Sequence, residues 1–487
     1  MRDFKLYNLS IVGIFYEEAF KINIGVAALI AKKLLYLLAF SFLSTTCFAN
    51  ECMDHFKDHW FGAFMDFNSC QLTDKDVTAI VKFANNHPGI QSLYAGDNSI
   101  TDEGVRELSL LNPFPDELGL AKNAIQGKTL ASLKNLNLIS ISLEDNPLDN
   151  ESVKELLLNK QIKGLSIGSD KLQDDIANII SSRDFDFLGI EGNGISENEW
   201  QNIAEFSRAK FIIIGGKNIR NSFGKKLANN SFVEGLYIKD YAMDAYGFAQ
   251  AFSNPHIHFL ETSHINDNSA FLEALANSQY INALDIFPAE EDILLNERIG
   301  KLLGKNKSIT DLEISSSLIR KHKTIIDAGF ARAISTSNIS DVAFYSTNIN
   351  INDDAAIAFA ENHHLKSLGI GNGQITDAGA IALERSVSLT ELTLRRNQVT
   401  DVGALAFIDN VYLDSLDLRY NPISYTAANK LKANSKIKNI YIDLRKTMPV
   451  MKTFKVEKKL TPYLGNKFNW GYRNFERNWL YPNKGAL

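Results

Sequence analysis

The 487-residue sequence predicts an α/β solenoid of about sixteen stacked units, each with one short strand and one short helix. Three observations predict this fold. A short apolar phrase recurs along the chain, its recurrences are spaced by close to 24 residues, and several are followed by residues that start a helix. One copy of the phrase is Leu188-x-Ile190-x-x-Asn193-x-Ile195. A regular period of this length is typical of an array in which each unit contacts only its neighbours.

The second apolar residue of the phrase marks the register of each unit. Successive markers are 23 to 30 residues apart, and they place the array at residues 67–445. The pattern is weakest near Leu120, Thr262 and Ile286. The sixteen marker residues are Phe67, Ala95, Leu120, Leu143, Ile167, Ile190, Ile214, Ile238, Thr262, Ile286, Ile314, Phe344, Ile370, Leu394, Leu418 and Ile442.

The apolar pair of each phrase is typical of a short strand. Because side chains alternate along a strand, Leu188 and Ile190 are expected to face the interior and Gly189 to face outward. Such a strand is too short to stand alone, so its apolar residues need neighbouring units to cover them. Sixteen strands about 4.8 Å apart would form a sheet on the order of 75 Å long.

The second half of the unit is predicted to be a helix. In Thr400-Asp401-Val402-Gly403 a hydroxyl residue that can cap a helix precedes an acidic residue in the first turn. Residues 101–104 and 376–379 repeat this pattern. The small residues of 379–383 then allow the helix to lie close to the strands.

With these residues the sequence resembles the ribonuclease-inhibitor-like subtype of leucine-rich repeats, whose pattern is N-x-I-x-D-x-G-x-x-x-L-A. The resemblance implies a horseshoe with parallel strands on the concave face and short helices on the convex face. It also implies that an asparagine three positions after the marker residue caps buried backbone groups of the neighbouring turn. A buried peptide group without a partner costs about 1 to 3 kcal/mol, so these asparagines are expected to be structural. They are Asn98, Asn123, Asn146, Asn193, Asn397 and Asn421.

The N-terminus has the layout of a secretory signal peptide. Lys32 and Lys33 precede the largely apolar residues 34–43, and small residues then lead to a cleavage site after Ala49. Residues 1–49 are therefore predicted to be an N-terminal extension and signal peptide, with a translation start near Val26 as one explanation for the unusual upstream residues. The expected location is secreted, periplasmic or on the cell surface. The alternative is an uncleaved signal anchor formed by residues 22–43.

Two further segments flank the array. Residues 50–66 are predicted to form an N-terminal cap, and a disulfide between Cys52 and Cys70 would tie it to the first unit. A free buried thiol at Cys70 is the alternative. Residues 446–487 are rich in aromatic and basic residues, and with Arg445 they carry a net charge of about +8. Their first expected role is a C-terminal cap, followed by binding to an anionic membrane or polysaccharide; nucleic acid is not expected for an exported protein.

Catalytic patterns are sparse in this sequence. It contains no G-x-S-x-G elbow, no Gly-rich phosphate loop and no Cys-x-x-Cys pair, and His55 and His59 lack the glutamate of a metalloprotease helix. The chain is therefore predicted not to be an enzyme and to have no cofactor or metal. A glycan-active enzyme with carboxylates such as Glu261 and Asp285 is a remote alternative, because neighbours on one ladder share similar environments.

The outward strand positions offer a candidate binding surface. Glu261, Asp285 and Glu313 fall on consecutive strands, and like charges side by side on a sheet repel, so stability does not explain them. Aromatic and aliphatic side chains occupy neighbouring outward positions, and two arginines follow near the C-terminal end. The predicted partner-binding residues are Phe211, Ile213, Tyr237, Phe259, Glu261, Asp285, Glu313, Asp341, Arg395 and Arg419, with Phe187 in the same apolar group.

These residues suit a protein partner with a basic segment, because complementary charge sets orientation and buried aromatic groups supply affinity. The sequence resembles the repeat proteins that intracellular bacterial pathogens deliver to host cells, and this resemblance implies an effector that binds a host protein and acts in virulence. The alternative is a cell-surface or periplasmic adhesin that binds a glycan or an anionic lipid. The sequence gives no expectation for the oligomeric state.

Overall fold

The computed structural model describes residues 64–443 except 88, 240, 264, 266–268, 287–291, 316–322 and 346–348. Its main feature is a sheet of sixteen parallel strands, hydrogen-bonded to one another in chain order. This sheet confirms the predicted α/β solenoid. The sixteen strands are β1 (Phe64–Asp66), β2 (Ser92–Tyr94), β3 (Glu117–Gly119), β4 (Ser140–Glu144), β5 (Gly164–Gly168), β6 (Asp184–Glu191), β7 (Arg208–Gly215), β8 (Gly235–Lys239), β9 (Phe259–Thr262), β10 (Ala283–Ile286), β12 (Asp311–Ser315), β14 (Asp341–Tyr345), β16 (Ser367–Gly371), β17 (Glu391–Thr393), β18 (Ser415–Asp417) and β19 (Asn439–Tyr441).

The register of the sheet agrees with the sequence period. Leu188 of β6 pairs with Ile212 of β7, which pairs with Leu236 of β8, and each lies two residues before its marker. All sixteen marker residues are buried, including Thr262 with an exposed fraction of 3%. The weakly matching units therefore occupy the same register as the strong ones.

Three longer units add a second, smaller sheet that the sequence analysis did not predict. Its strands are β11 (Ile293–Leu295), β13 (Thr324–Ile326) and β15 (Ile349–Asn350), and they pair in parallel. They lie in the units whose markers are followed by spacings of 28, 30 and 26 residues. The extra residues of these units thus form regular structure with buried side chains such as Ile293 and Leu295.

Helices return the chain between successive strands in most units. In the described residues they are α1 (Asp74–Asn85), α2 (Asp102–Leu108), α3 (Asn150–Leu156), α4 (Ile176–Ile180), α5 (Glu197–Phe206), α6 (Asn221–Leu227), α7 (Ala245–Ala251), α8 (Ser269–Ala276), α9 (Glu297–Lys305), α10 (Ala328–Ile334), α11 (Asp353–Ala360), α12 (Asp377–Glu384), α13 (Asp401–Ala406) and α14 (Tyr425–Asn434). Short 3₁₀ helices occur at Leu130–Leu133 and Phe407–Asp409. Most of the helices are only two turns long, as the short period predicts.

Five of the six predicted asparagines form the expected ladder. The Asn146 amide nitrogen donates to the carbonyl of Leu120 at 2.8 Å, and its oxygen accepts from the backbone N–H of Ile125 at 3.0 Å. Each such side chain therefore satisfies a carbonyl of the preceding unit and an amide at the start of its return segment. Asn98, Asn123, Asn397 and Asn421 make equivalent bonds.

Asn193 is the exception, and its predicted place in the ladder is wrong. Its side chain is exposed and donates to the Asp170 carboxylate at 3.2 Å. The adjacent Gly194 lies so close to the backbone that an added Cβ would be 2.5 Å from the carbonyl oxygen of Leu172. The chain takes a tighter path here, and the asparagine side chain turns outward.

The acidic residue at the helix start has a second role that the sequence did not reveal. Asp377 accepts from the backbone N–H and hydroxyl of Thr400 in the next unit, at 2.7 and 2.6 Å, and from the N–H of Gly403 at 2.9 Å. An added Cβ at Gly403 would be 2.5 Å from this carboxylate, which explains the glycine. Asp74 and Asp353 make the same three bonds to the following units. These carboxylates link the N-termini of successive helices.

A further asparagine ladder lies eight residues before the marker, near the helix C-termini. The Asn254 side chain donates to the carbonyls of Leu227 and Asn230, both at 2.7 Å. Because these carbonyls belong to the preceding unit, the bonds join neighbouring units on the helix side. Equivalent side chains are Asn159, Asn230, Asn306 and Asn410.

The predicted segment boundaries are only partly within the described residues. Strand β1 begins at Phe64, inside the range 50–66 predicted for the cap. Cys70 is buried and disulfide-bonded, while Cys52 lies outside the described residues, so their pairing stays a prediction. The predicted signal peptide at 1–49 and the tail at 446–487 also lie outside them.

Candidate functional site

The sheet has one face that the helices do not cover, which we call the concave face. Its side chains form three rows along the array. The first row lies three residues before the marker residue, the middle row one residue before it, and the last row one residue after it. In the middle row Ile213 pairs with Tyr237, Tyr237 with Glu261, Glu261 with Asp285, and Asp285 with Glu313. The structure therefore places these five predicted site residues side by side on adjacent strands.

Five side chains at the centre of this face form an aromatic cluster that is separate from the main core. It consists of Phe187, Phe211, Ile213, Tyr237 and Phe259. The rings of Phe187 and Phe211 are stacked with centroids 6.0 Å apart, and those of Phe211 and Phe259 are tilted at 5.5 Å. Phe211 has an exposed fraction of only 4%, because the rings cover one another. The cluster still lies on the open face, with Ile213 and Phe259 partly exposed.

A glycine makes the close ring packing possible. Gly235 lies on β8 between Phe211 and Phe259. A Cβ at this position would be 2.3 Å from Phe211 Cδ2 and 3.2 Å from Phe259 Cδ1. The two rings therefore close over a strand position that has no side chain.

The acidic row begins directly beside the aromatic cluster. Burial raises the pKa of Glu261 well above its usual range, and the charge of Asp285 adds to this effect. Asp285 itself has an exposed fraction of 2%, so this member of the row is almost completely covered. Its short side chain lies between the longer Glu261 and Glu313, which are both partly exposed.

Two more carboxylates extend the acidic row, one of them missed by the sequence analysis. Asp341 pairs with Asp311 on the neighbouring strand, two positions before Glu313. Burial raises the pKa of Asp311; the hydrogen bond from Thr310 opposes this and the charge of Asp341 adds to it. The outward position of Asp311 could have been found by extending the strand two residues back from Glu313.

The C-terminal end of the face carries arginines in two different states. Arg419 binds the buried carboxylate of Asp417 through two guanidinium nitrogens, at 2.9 and 2.6 Å, and its charge is thereby compensated within the chain. Arg395 instead lies 4.7 Å from the ring centroid of Tyr420, and Arg396 lies 5.2 Å from the same ring. Of the two predicted arginines, Arg419 thus forms an ion pair within the chain, and Arg395 stacks on a tyrosine ring.

The row after the marker also contains a cross-strand ion pair. Lys239 on β8 binds Glu191 on β6, across Gly215 of the intervening strand. Burial raises the pKa of Glu191, although the charge of Lys239 opposes this shift. The pair borders the aromatic cluster and compensates its own charge.

Comparison with known proteins agrees with the architecture seen here. Residues 361–383 and 385–407 match the family model described as Leucine Rich repeat. These two segments are consecutive units of the sixteen-stranded array. The sixteen-stranded array has the leucine-rich repeat fold. The remaining units follow the same strand register as the two matched ones, and some of them share the asparagine and aspartate ladders.

The chain is also similar to solved structures at low sequence identity. One is an internalin (inlF) from Listeria monocytogenes, with 16% identity and a TM-score of 0.31, covering 68% of this chain and 85% of the internalin. Another is TLR13 in the TLR13–ssRNA13 complex, with 15% identity and a TM-score of 0.39, covering 69% of this chain and 54% of TLR13. No curated protein matches the sequence.

Two searches of the described residues bear on the kind of site. Between residues 64 and 443, outside the gaps given above, no group of three His, Cys, Asp or Glu side chains is arranged to hold a metal ion. In the same residues no helix has both the length and the apolar character needed to cross a bilayer.

Proposed function

We propose that this protein is a non-catalytic interaction scaffold, exported from a bacterium, that binds a protein partner through its concave face. The observation that supports this most strongly is the aromatic cluster beside the acidic row. A contiguous apolar group bordered by charge is typical of the centre of a binding interface. The export step rests on the signal-peptide layout of residues 1–49.

The charges suggest the character of the partner. Glu261 of β9 lies next to Tyr237 of β8, and Glu313 of β12 lies two strands further along the row; both carboxylates are partly exposed. A partner that presents basic side chains next to an apolar one would match this arrangement. Its binding would also compensate the repulsion between the neighbouring carboxylates.

A photo-cross-linking experiment tests whether the concave face is the binding face. The cross-linker p-benzoylphenylalanine is placed at Ile213 in the full chain, and a matched variant carries it at Tyr246 on helix α7, whose side chain is 60% exposed. We expect a discrete cross-linked protein from Ile213 only, in producing cells or in extracts of candidate host cells. Equal products from both positions would contradict the proposal.

Charge reversal then tests the acidic row against the same cross-linked partner. Glu261→Lys with Glu313→Lys should reduce the yield strongly and weaken its dependence on salt. The control is Glu155→Lys with Glu273→Lys, which makes the same change of net charge at exposed positions of helices α3 and α8. A partner whose yield is unaffected by the concave-face variant does not bind through these carboxylates.

Export is tested separately by determining the mature N-terminus and the cell fraction. Asn50 as the first residue, in medium or periplasm, supports cleavage after Ala49. An intact N-terminus in the cytosol would contradict export.

A further inference from the structure

The concave face has a second charged region, which is opposite in sign to the acidic row. It lies where β17 and β18 end and consists of Arg395, Arg396 and Tyr420. Both guanidinium groups are beside the same tyrosine ring, at 4.7 and 5.2 Å from its centroid. Two like charges held at one ring repel each other, so the cluster is costly without a compensating charge.

No carboxylate is paired with this cluster within the described part of the chain. Neither Arg395 nor Arg396 forms an ion pair there, whereas the neighbouring Arg419 is fully engaged by Asp417. The Nε atom of Arg395 is buried and has no hydrogen-bond partner among these residues. A buried donor without an acceptor from its own chain is costly, and a ligand at this position could supply one.

The backbone holds both arginines in place. Arg396 has a φ of 57°, in the left-handed region, and its N–H donates to the carbonyl of Arg419 at 3.0 Å. Tyr420 occupies the equivalent position of the next unit, and its N–H donates to Asp443 at 2.6 Å. The side chains therefore project from fixed positions of two adjacent units.

The strand beside Arg395 has a glycine at the adjacent position. Gly371 of β16 occupies the same row as Arg395, one unit earlier, and a Cβ there would lie 3.6 Å from the carbonyl oxygen of Phe344, its one close contact among the described atoms. The position beside Arg395 on this strand therefore carries no side chain, although the glycine backbone itself is buried. A group bound by the guanidiniums that extends toward the acidic row would meet no side chain from this position of β16.

We propose that Arg395 and Arg396, stacked on Tyr420, bind a carboxylate of an acidic segment in the protein partner. Guanidinium groups match the planar geometry of a carboxylate and bind it through charge-assisted hydrogen bonds. The nearby carboxylates of Asp417 and Asp443 disfavour a doubly charged phosphate more than a singly charged carboxylate. This inference rests on the proposed function. It adds an acidic segment of the partner, bound by the arginines, to the basic segment bound by the acidic row.

The two contacts would fix the direction of the partner on the array. Glu313 of β12 and Arg395 after β17 are separated by three strand steps, because β14 and β16 lie between their strands. At about 4.8 Å per step this is roughly 14 Å, the reach of about four extended residues. A partner segment with basic and acidic residues at that separation would bind in one orientation only.

The test uses the full chain and a rhodamine-labelled hexaglutamate peptide, with fluorescence anisotropy at low and moderate salt. Arg395→Gln with Arg396→Gln should weaken binding by about tenfold or more, as expected for the loss of two charge-assisted contacts. The control, Arg332→Gln with Arg385→Gln, makes the same change of charge at exposed positions of the helix side and should alter binding by less than about twofold. Equal weakening in both variants, or none in either, would overturn the inference.

Two further measurements keep the result interpretable. Matching far-ultraviolet circular dichroism and thermal midpoints of the variants show that a loss of binding is not a loss of fold. Acetate should displace the peptide at concentrations no higher than inorganic phosphate does, and preferential displacement by phosphate would refute the carboxylate assignment. A wild-type protein that is cross-linked from Ile213 but does not bind hexaglutamate would refute this inference alone and leave the proposed function standing.

Discussion

Asn146 and Asn193 occupy the same position of the repeat, yet the structure predicts opposite effects for their replacement by alanine. Asn146→Ala leaves the carbonyl of Leu120 and the N–H of Ile125 without their partner, in a site with an exposed fraction of 2%. Each buried group without a partner costs about 1 to 3 kcal/mol, so we expect a loss of about 2 to 4 kcal/mol. Asn193→Ala removes one exposed bond to Asp170 and should cost less than about 0.5 kcal/mol.

Equilibrium urea unfolding of the two variants measures this difference. Because repeat arrays can lose two-state behaviour, hydrogen exchange of the Ile125 amide provides a local measurement in the same region. That amide should exchange much faster in Asn146→Ala and unchanged in Asn193→Ala. Similar losses of stability in both variants would refute the reasoning that separates the two asparagines.

Three further predictions test other parts of the structure. Asp377→Ala should cost about 2 to 3 kcal/mol in urea unfolding because three hydrogen bonds to a carboxylate are lost, whereas Asp354→Ala, an exposed neighbour in the first turn of α11, should be near neutral. Burial raises the pKa of Asp66 from 3.8 to about 6, so ionised Asp66 destabilises the fold as the pH rises through this range. Asp66→Asn should therefore be about 2 to 3 kcal/mol more stable than wild type at pH 7.5 and show no gain in stability below pH 3.8. A difference in stability that does not change with pH would contradict this reasoning. Gly235→Ala should cost about 1 to 3 kcal/mol by forcing the aromatic rings apart, while Gly371→Ala should be tolerated; equal thermal midpoints would show that the rings can yield.

The fold could be predicted from the sequence because each unit repeats the same local solution. Marker residues such as Ile190 are buried by their own neighbours in the next unit, so the period of the apolar residues fixes the strand register. This holds even at Thr262, where the position in the period decides burial and the residue type does not. The strands needed no information from distant parts of the chain.

The ladders were only partly predictable, because they depend on the backbone path between units. The sequence places an asparagine at position 193 as clearly as at 146, but the glycine at 194 permits a different path and turns the side chain outward. The link from Asp377 to Thr400 was missed because an acidic residue in a first turn already has an explanation in the helix dipole. The pairing of Thr and Gly in the following unit was the available signal.

The second sheet shows a limit of reasoning from a period alone. Spacings of 28, 30 and 26 residues indicate extra residues in three consecutive units but not their conformation. Because the three insertions follow one another, their segments lie side by side and can pair as strands β11, β13 and β15. An isolated insertion of the same length would have no neighbouring segment with which to pair.

The sequence predicted which residues face outward on the sheet, but it did not predict how far neighbouring side chains cover or pair with them. The sequence identifies Phe211, Asp285 and Arg419 as outward residues, yet all three are largely covered or paired: by other rings, by longer neighbouring carboxylates and by Asp417. Outward residues that compensate one another in this way contribute little free charge or free apolar area to a partner. The binding capacity of the face should therefore reside in the side chains that the neighbours leave incompletely satisfied, which are Ile213 and Phe259 at the cluster and Arg395 at the C-terminal end. Since these lie on different strands, the partner that fits them must extend along the array and not across a single unit.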